Sequence, residues 1–144
     1  MEFFIRNATI EDFGKVYPLF EQLWPNKALN RTELNKVFDR GITSETDVLL
    51  CAVLVNKIIG FCAYAIVNNL WQEGYISYIY AMVIDEKYRG KGFGSKLLNE
   101  AIDKSKQQGM KRVELDSGFQ REKGHQFYTK LGFENRAYLF SLTL

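Results

Sequence analysis

Between the apolar run Tyr75–Ile84 and an amphipathic segment beginning at Phe93 lies Arg89-Gly90-Lys91-Gly92-Phe93-Gly94-Ser95. Three alternating glycines open backbone conformations closed to other residues and aim several N–H groups at one point. Beyond them Leu97, Leu98, Ala101 and Ile102 share one face and Gly109 provides a stop, which predicts a helix from Phe93 to about Gln108. Arg112–Asp116 reads as a short strand. Strand, helix and strand in this order form a βαβ unit with a right-handed crossover, so a mixed sheet is expected.

The remaining elements fit around that unit. Phe3–Asn7 is a short first strand. Thr9 with Asp12 makes a capping-box-like start, and Ile10, Phe13, Val16, Tyr17, Phe20 and Leu23 repeat at helical spacing until Pro25 follows Trp24. Asn30 with Glu33 opens a second helix through Phe38, closed by Gly41. Residues 48–55 and 58–67 predict a hairpin turning at Asn56-Lys57, a register that sets Cys51 opposite Cys62. In an intracellular chain these read as two buried thiols rather than a disulfide. A polar and aromatic loop, Asn68–Gly74, leads into Tyr75–Ile84. Lys123–Leu131 is a short helix ended by Gly132, and Tyr138–Leu144 a final strand. The expected order is β-α-α-β-β-β-α-β-α-β-β. That is one α/β domain over residues 1–144, with a mixed six- to seven-stranded sheet flanked by about four helices.

Composition narrows the function. The net charge of +2 is too small to advertise a nucleic-acid binder. Residues 85–112 nevertheless hold eight basic against four acidic side chains, so the surplus sits around the glycine-rich loop. Two cysteines and one histidine make no metal-ligand set. Val48–Val55 and Ile58–Val67 are far too short to span a bilayer, and Met1-Glu2-Phe3-Phe4 lacks the basic start of a secretory signal. The expectation is a cytoplasmic protein with no membrane or nucleic-acid partner.

The loop has the makings of an anion site, because unpaired amides and the helix dipole favour negative charge at a helix start, with Arg89 and Lys91 adding full charges. Two familiar phosphate loops are excluded. G-x-G-x-G is not the G-x-G-x-x-G of dinucleotide folds, and no lysine stands between Gly94 and Ser95 as an NTPase loop requires.

Asp85 to Leu98 resembles the acyl-CoA-binding motif of the GNAT superfamily of N-acetyltransferases, Arg/Gln-x-x-Gly-x-Gly/Ala, met here by Arg89, Gly92 and Gly94. That family's second signature, an aromatic-Tyr-x-x-Leu-Gly-Phe run, is matched by Phe127-Tyr128-Thr129-Lys130-Leu131-Gly132-Phe133. The resemblance covers nearly the whole chain. It implies acetyl-CoA as co-substrate, no metal, and direct transfer of acetyl to a primary amine. It implies that the backbone of Met82, Val83 and Ile84 pairs with the pantetheine arm and polarises the thioester carbonyl. Arg89, Gly90, Lys91, Gly92, Phe93, Gly94 and Ser95 would hold the pyrophosphate. Tyr128 maps onto the general acid that protonates the departing thiolate.

The sequence also departs from the family. Tyr80 stands where many members place a glutamate, so Tyr80, Glu73 and Asp116 are the candidate bases. Arg121 replaces an asparagine that contacts CoA, and is a candidate phosphate ligand. Arg121 to Tyr128 looks like the Arg-x-x-Ala-His-x-Phe-Tyr variant of some small-molecule acetyltransferases, which makes His125 a candidate acceptor-site group. Trp24, Trp71 and Tyr75 lie in the loops that form the acceptor site in this family, and aromatic rings suit a cationic amine. The acceptor is then the amine of a small molecule or a peptide. Alternatives are a protein N-terminus or lysine, or a catalytically weak CoA sensor, which the missing glutamate favours. An apolar Tyr138–Leu144 is compatible with a homodimer.

Overall fold

The computed structural model describes residues 2–144. Strand β1 is Phe3–Asn7; a 3₁₀ turn at Ile10–Asp12 leads into α1, Phe13–Leu23. Then follow α2 (Arg31–Thr43), β2 (Asp47–Leu54), β3 (Lys57–Asn69) and β4 (Gly74–Ile84). A 3₁₀ turn at Glu86–Tyr88 precedes α3 (Phe93–Gln107), β5 (Val113–Leu115) and α4 (Glu122–Lys130). The strands lie in the order β1-β2-β3-β4-β5, and the first four are antiparallel. At β5, Ser77 N–H donates to the Arg112 carbonyl (2.9 Å) and Lys111 N–H to that of Tyr75 (2.8 Å). Residue numbers rise together on both sides, as in parallel neighbours. The fold is α/β with a mixed sheet and four α-helices, as expected from the sequence.

Four local expectations are corrected. The sheet has five strands among the described residues, because Tyr138–Leu144 forms none and Phe140 and Leu142 stand 92% and 84% exposed. An alternating apolar pattern becomes a strand only where an edge accepts its backbone groups, and this segment makes no ladder. Helix α2 does not stop at Gly41 but runs on to Thr43. That glycine is a packing residue, since a Cβ there would lie 3.1 Å from Leu49 Cδ1. The β2–β3 turn is Val55-Asn56, both in the left-handed region (φ 47° and 65°), and the register shifts between Ala52 and Val53. Cys51 therefore faces Phe61, and Cys62 faces Leu50; both thiols are free and buried. Finally, Asn68 and Asn69 extend β3, so only residues 70–73 turn.

The chain divides into two compact units, one up to Glu114 and one from Leu115. In the first, α1 and α2 cover one face of the sheet. Val16, Phe20 and Phe38 meet Phe61 and Ala63 there, with Phe61 edge-on to Phe20 at 5.3 Å. Helix α3 covers the other face with Leu97, Leu98 and Ala101. Ser105 Oγ donates to the Ala101 carbonyl (2.8 Å), so the buried Ser77 hydroxyl donates to Ser105 (2.7 Å). Tyr64 Oη reaches Gln108 at 2.7 Å. These polar pairs fix the angle at which α3 leaves the glycine-rich loop.

The capping box starts α1 as expected. The Asp12 carboxylate accepts from Thr9 N–H (2.7 Å) and takes both Arg6 nitrogens (2.7 and 2.9 Å). Hydrogen bonding from Arg6 holds this buried carboxyl down at about 2, against an ordinary 3.8. Its stabilisation, on the order of 2 kcal/mol, is complete above the ordinary value and lost as pH falls through the folded one. Urea unfolding of Asp12→Asn should show a deficit of about that size at pH 6, and the gap to the native protein should close as pH approaches 2.

Candidate functional site

The glycine-rich loop is tied down before it reaches the helix. Asp85 N–H donates to the Ile59 carbonyl (2.7 Å), and its carboxylate caps the 3₁₀ turn through Lys87 N–H (3.1 Å). Gln22 of α1 accepts from Glu86 N–H (2.9 Å) and from Arg89 Nη2 (3.4 Å), while Arg89 Nε donates to the Ile84 carbonyl (2.8 Å). Gly90 and Gly92 follow with φ of 75° and 87°, and a Cβ at either would meet nothing within 4 Å. Glycine is needed here for backbone conformation rather than for space.

Gly92 caps α3 without a side chain, and the first helical bond runs from Lys96 N–H to the Gly92 carbonyl (3.2 Å). The amides of Phe93, Gly94 and Ser95 thus have no helical carbonyl to pair with. Cations rest on the aromatic rings near this helix start. Lys91 and Lys57 lie 5.9 and 5.5 Å from the Tyr88 ring, and Lys96 lies 5.3 Å from Phe3, whose ring stacks on Phe93 at 5.0 Å. Amide donors, a helix dipole and several cations over an aromatic floor form a cradle for a polyanion.

Strand β4 leads into this cradle and is bulged. Ala63 pairs with Ala81 and Tyr64 with Ile79, so Tyr80 has no partner on β3. Met82, Val83 and Ile84 pair with Cys62, Phe61 and Gly60. Just before β5, Lys111 N–H donates to the Tyr75 carbonyl and the Arg112 carbonyl accepts from Ser77 N–H, both at the start of β4. The bulge turns Tyr80 toward α2, where its hydroxyl donates to Asp47 Oδ2 (2.5 Å). Burial and the neighbouring Asp47 carboxylate hold this phenol well above its usual range. Ser44 and Thr46 hydroxyls donate to the other Asp47 oxygen (2.9 and 3.3 Å). Asp47 escaped the sequence reading because it lies 33 residues from Tyr80, with no local motif to mark it. Gln22 escaped it for the same reason.

The other candidates are distributed as follows. Trp24 stacks on Phe20 (5.6 Å, 14°) and packs against the core. Trp71 is 74% exposed and Tyr75 55%, and Glu73 occupies a left-handed turn position (φ 57°) on the surface. In the unit from Leu115, the Tyr128 ring is half-buried between Phe127 (5.4 Å) and Phe133 (5.7 Å). His125 Nε2 lies 2.8 Å from the Gly118 carbonyl, an orienting partner that the sequence did not reveal. Arg121 is the exposed N-cap of α4, and Asp116 is exposed just beyond β5.

A fold of this kind, with a bulged strand running into a glycine-built helix start, matches the model of the acetyltransferase (GNAT) family over residues 13–133. The aminoalkylphosphonate N-acetyltransferase of Salmonella typhimurium is 26% identical over 97% of this chain and 90% of its own. An uncharacterised N-acetyltransferase of Bacillus subtilis is 31% identical over 90% of each chain. Glucosamine-6-phosphate N-acetyltransferase from Arabidopsis thaliana superposes with a TM-score of 0.81 at 25% identity, over 99% of both chains. The chain belongs to the GNAT family of acetyltransferases. It is thus an acyltransferase, of a family whose co-substrate is acetyl-CoA.

If Gln22 is the peg that holds the loop, Gln22→Ala should cost about 1 kcal/mol. It should also speed hydrogen exchange at the Glu86 amide while leaving the β2–β3 amides unchanged.

Proposed function

We propose that this protein transfers the acetyl group of acetyl-CoA directly to a primary amine of a small molecule, in a complex holding both substrates. The observation that carries this reading is the uncapped glycine start of α3, set among Lys57, Arg89, Lys91 and Lys96 just beyond a bulged strand, in a chain of this family. Arg89–Ser95 take the pyrophosphate. Met82–Ile84 pair with the pantetheine arm, and one of their N–H groups donates to the thioester carbonyl as negative charge develops there. The amine nitrogen bonds to the carbonyl carbon and gives up a proton to a base beside it, the carbon–sulfur bond breaks with its electron pair on sulfur, and Tyr128 protonates the thiolate.

Burial pushes the Cys51 and Cys62 thiols up to about 12. Neither is a thiolate at neutral pH, which supports direct transfer over a covalent acetyl-enzyme. Two free buried thiols also suit the reducing cytoplasm, where this reading puts the protein. The acceptors named for two similar proteins, an aminoalkylphosphonate and glucosamine 6-phosphate, are small amines, which favours a small molecule over a peptide.

Calorimetry should show acetyl-CoA binding to the native protein and none to Gly92→Asp, where a side chain and a negative charge enter a left-handed position. Tyr128→Phe should lower turnover about 100-fold while leaving that affinity unchanged. No binding to the native protein would overturn the reading. A homodimer that covers the exposed Tyr138–Leu144 is the expected assembly, so light scattering should give twice the 16.7 kDa chain mass. A monomeric mass at micromolar concentration would contradict it.

A further inference from the structure

A cavity of about 270 Å³ opens between α2 and the bulge of β4, lined by Val37, Arg40, Gly41, Ser44, Asp47 and Tyr80. Its wall is low at Gly41, where a Cβ would stand 3.5 Å from the Tyr80 hydroxyl. Asp47 spends its carboxylate on three hydroxyls, those of Tyr80, Ser44 and Thr46. Arg40 lines the same cleft from the surface of α2, and among the described residues neither it nor Asp47 makes an ion pair. The cleft therefore holds a guanidinium and a carboxylate that do not neutralise each other. Charges kept apart in this way fit a ligand that itself carries both signs.

Resting on the acetyl-transfer reading above, we propose that this cleft is the acceptor subsite and that it selects small amines bearing a phosphate or phosphonate. Arg40 takes the oxyanion. Tyr80 is the catalytic residue that meets the amine, and Asp47 is the positioning residue behind it. An N–H bond of the amine breaks with its electron pair staying on nitrogen. That proton goes to Tyr80 Oη as the phenolic proton passes to Asp47 Oδ2. An ordinary carboxyl is about six units more acidic than an alkylammonium. The transfer is therefore completed as nitrogen bonds to the thioester carbon, which sharply acidifies its remaining protons. The carboxylate that many family members place on β4 is delivered here from the start of β2, with the bulge turning Tyr80 to meet it.

The test uses the full chain with acetyl-CoA and three acceptors: 2-aminoethylphosphonate, glucosamine 6-phosphate and glucosamine, which lacks the oxyanion. Released thiol is followed, and acetyl-CoA affinity is measured by calorimetry in parallel. Arg40→Ala should raise KM for the two phosphorus acceptors about 10- to 100-fold and so erase their advantage over glucosamine. Asp47→Asn and Tyr80→Phe should each lower kcat about 100-fold at unchanged acetyl-CoA affinity, with Asp47→Glu recovering part of the loss. Should Asp47→Asn fail to fold, Tyr80→Phe keeps the ring in place and carries the same test. Native-like kcat and KM in all these variants would remove the subsite while leaving acetyl transfer standing. So would a native protein that binds acetyl-CoA yet prefers glucosamine or acetylates none of the three. A native protein that binds no acetyl-CoA would instead remove the underlying reading, and this proposal with it.

Discussion

At one point in the sheet, Ala63 and Tyr64, consecutive on β3, pair with Ala81 and Ile79 of β4, which leaves Tyr80 as one extra residue between them. Regular pleating would send Tyr80 and Ala81 to opposite faces. The extra residue cancels that alternation locally. Ala81 joins the core beneath α1, while the Tyr80 hydroxyl reaches Asp47 beside α2. Before the bulge, Ser77 and Ile79 are buried, with Ser77 against α3; after it, Val83 belongs to the α1 core and Ile84 carries the Arg89 anchor. The phase of the whole distal half of β4, and so the entry to the glycine-rich loop, depends on this single insertion.

The loop is held by side chains that the fold already needs for other reasons. Gln22 sits one residue before the buried Leu23 of α1, so the packing that anchors α1 to Phe61 also fixes the amide that accepts Glu86 N–H. Arg89 folds back onto the Ile84 carbonyl, and this removes slack between strand and helix. Preorganisation of this kind matters for an anion cradle. Amides that already point at the ligand do not have to be ordered when it arrives.

Much of this was legible in the sequence, for identifiable reasons. The βαβ unit, the capping box at Thr9 and Asp12, and the glycine-rich turn rest on local patterns, and each forms where its residues predict. The hairpin register was not legible, because it hangs on whether Asn56-Lys57 or Val55-Asn56 makes the turn and on a bulge that no residue type announces. Gly41 read as a helix stop because glycine usually breaks helices. Its real role, close approach to Leu49 and Tyr80, exists only once α2 is laid on the sheet. Tyr138–Leu144 has a strand's alternation, but pairing depends on an edge that the pattern itself cannot supply.

The same distinction governs the site. Residues 89–95 are contiguous and carry their chemistry in their order, so the sequence alone could assemble them. The Tyr80–Asp47 pair is assembled across β3. At Asp47 the ladder runs through Ala65 to Tyr78, and the bulge then brings the next tyrosine of β4 within reach of the carboxylate. A carboxylate on β4 itself would be pinned to that strand's own position. Delivered from β2, with Ser44 and Thr46 donating to its other oxygen, it meets a hydroxyl already fixed beside the cleft. Where the sequence shows no glutamate on β4, the folded chain sets a carboxylate from two strands away against the tyrosine that stands there.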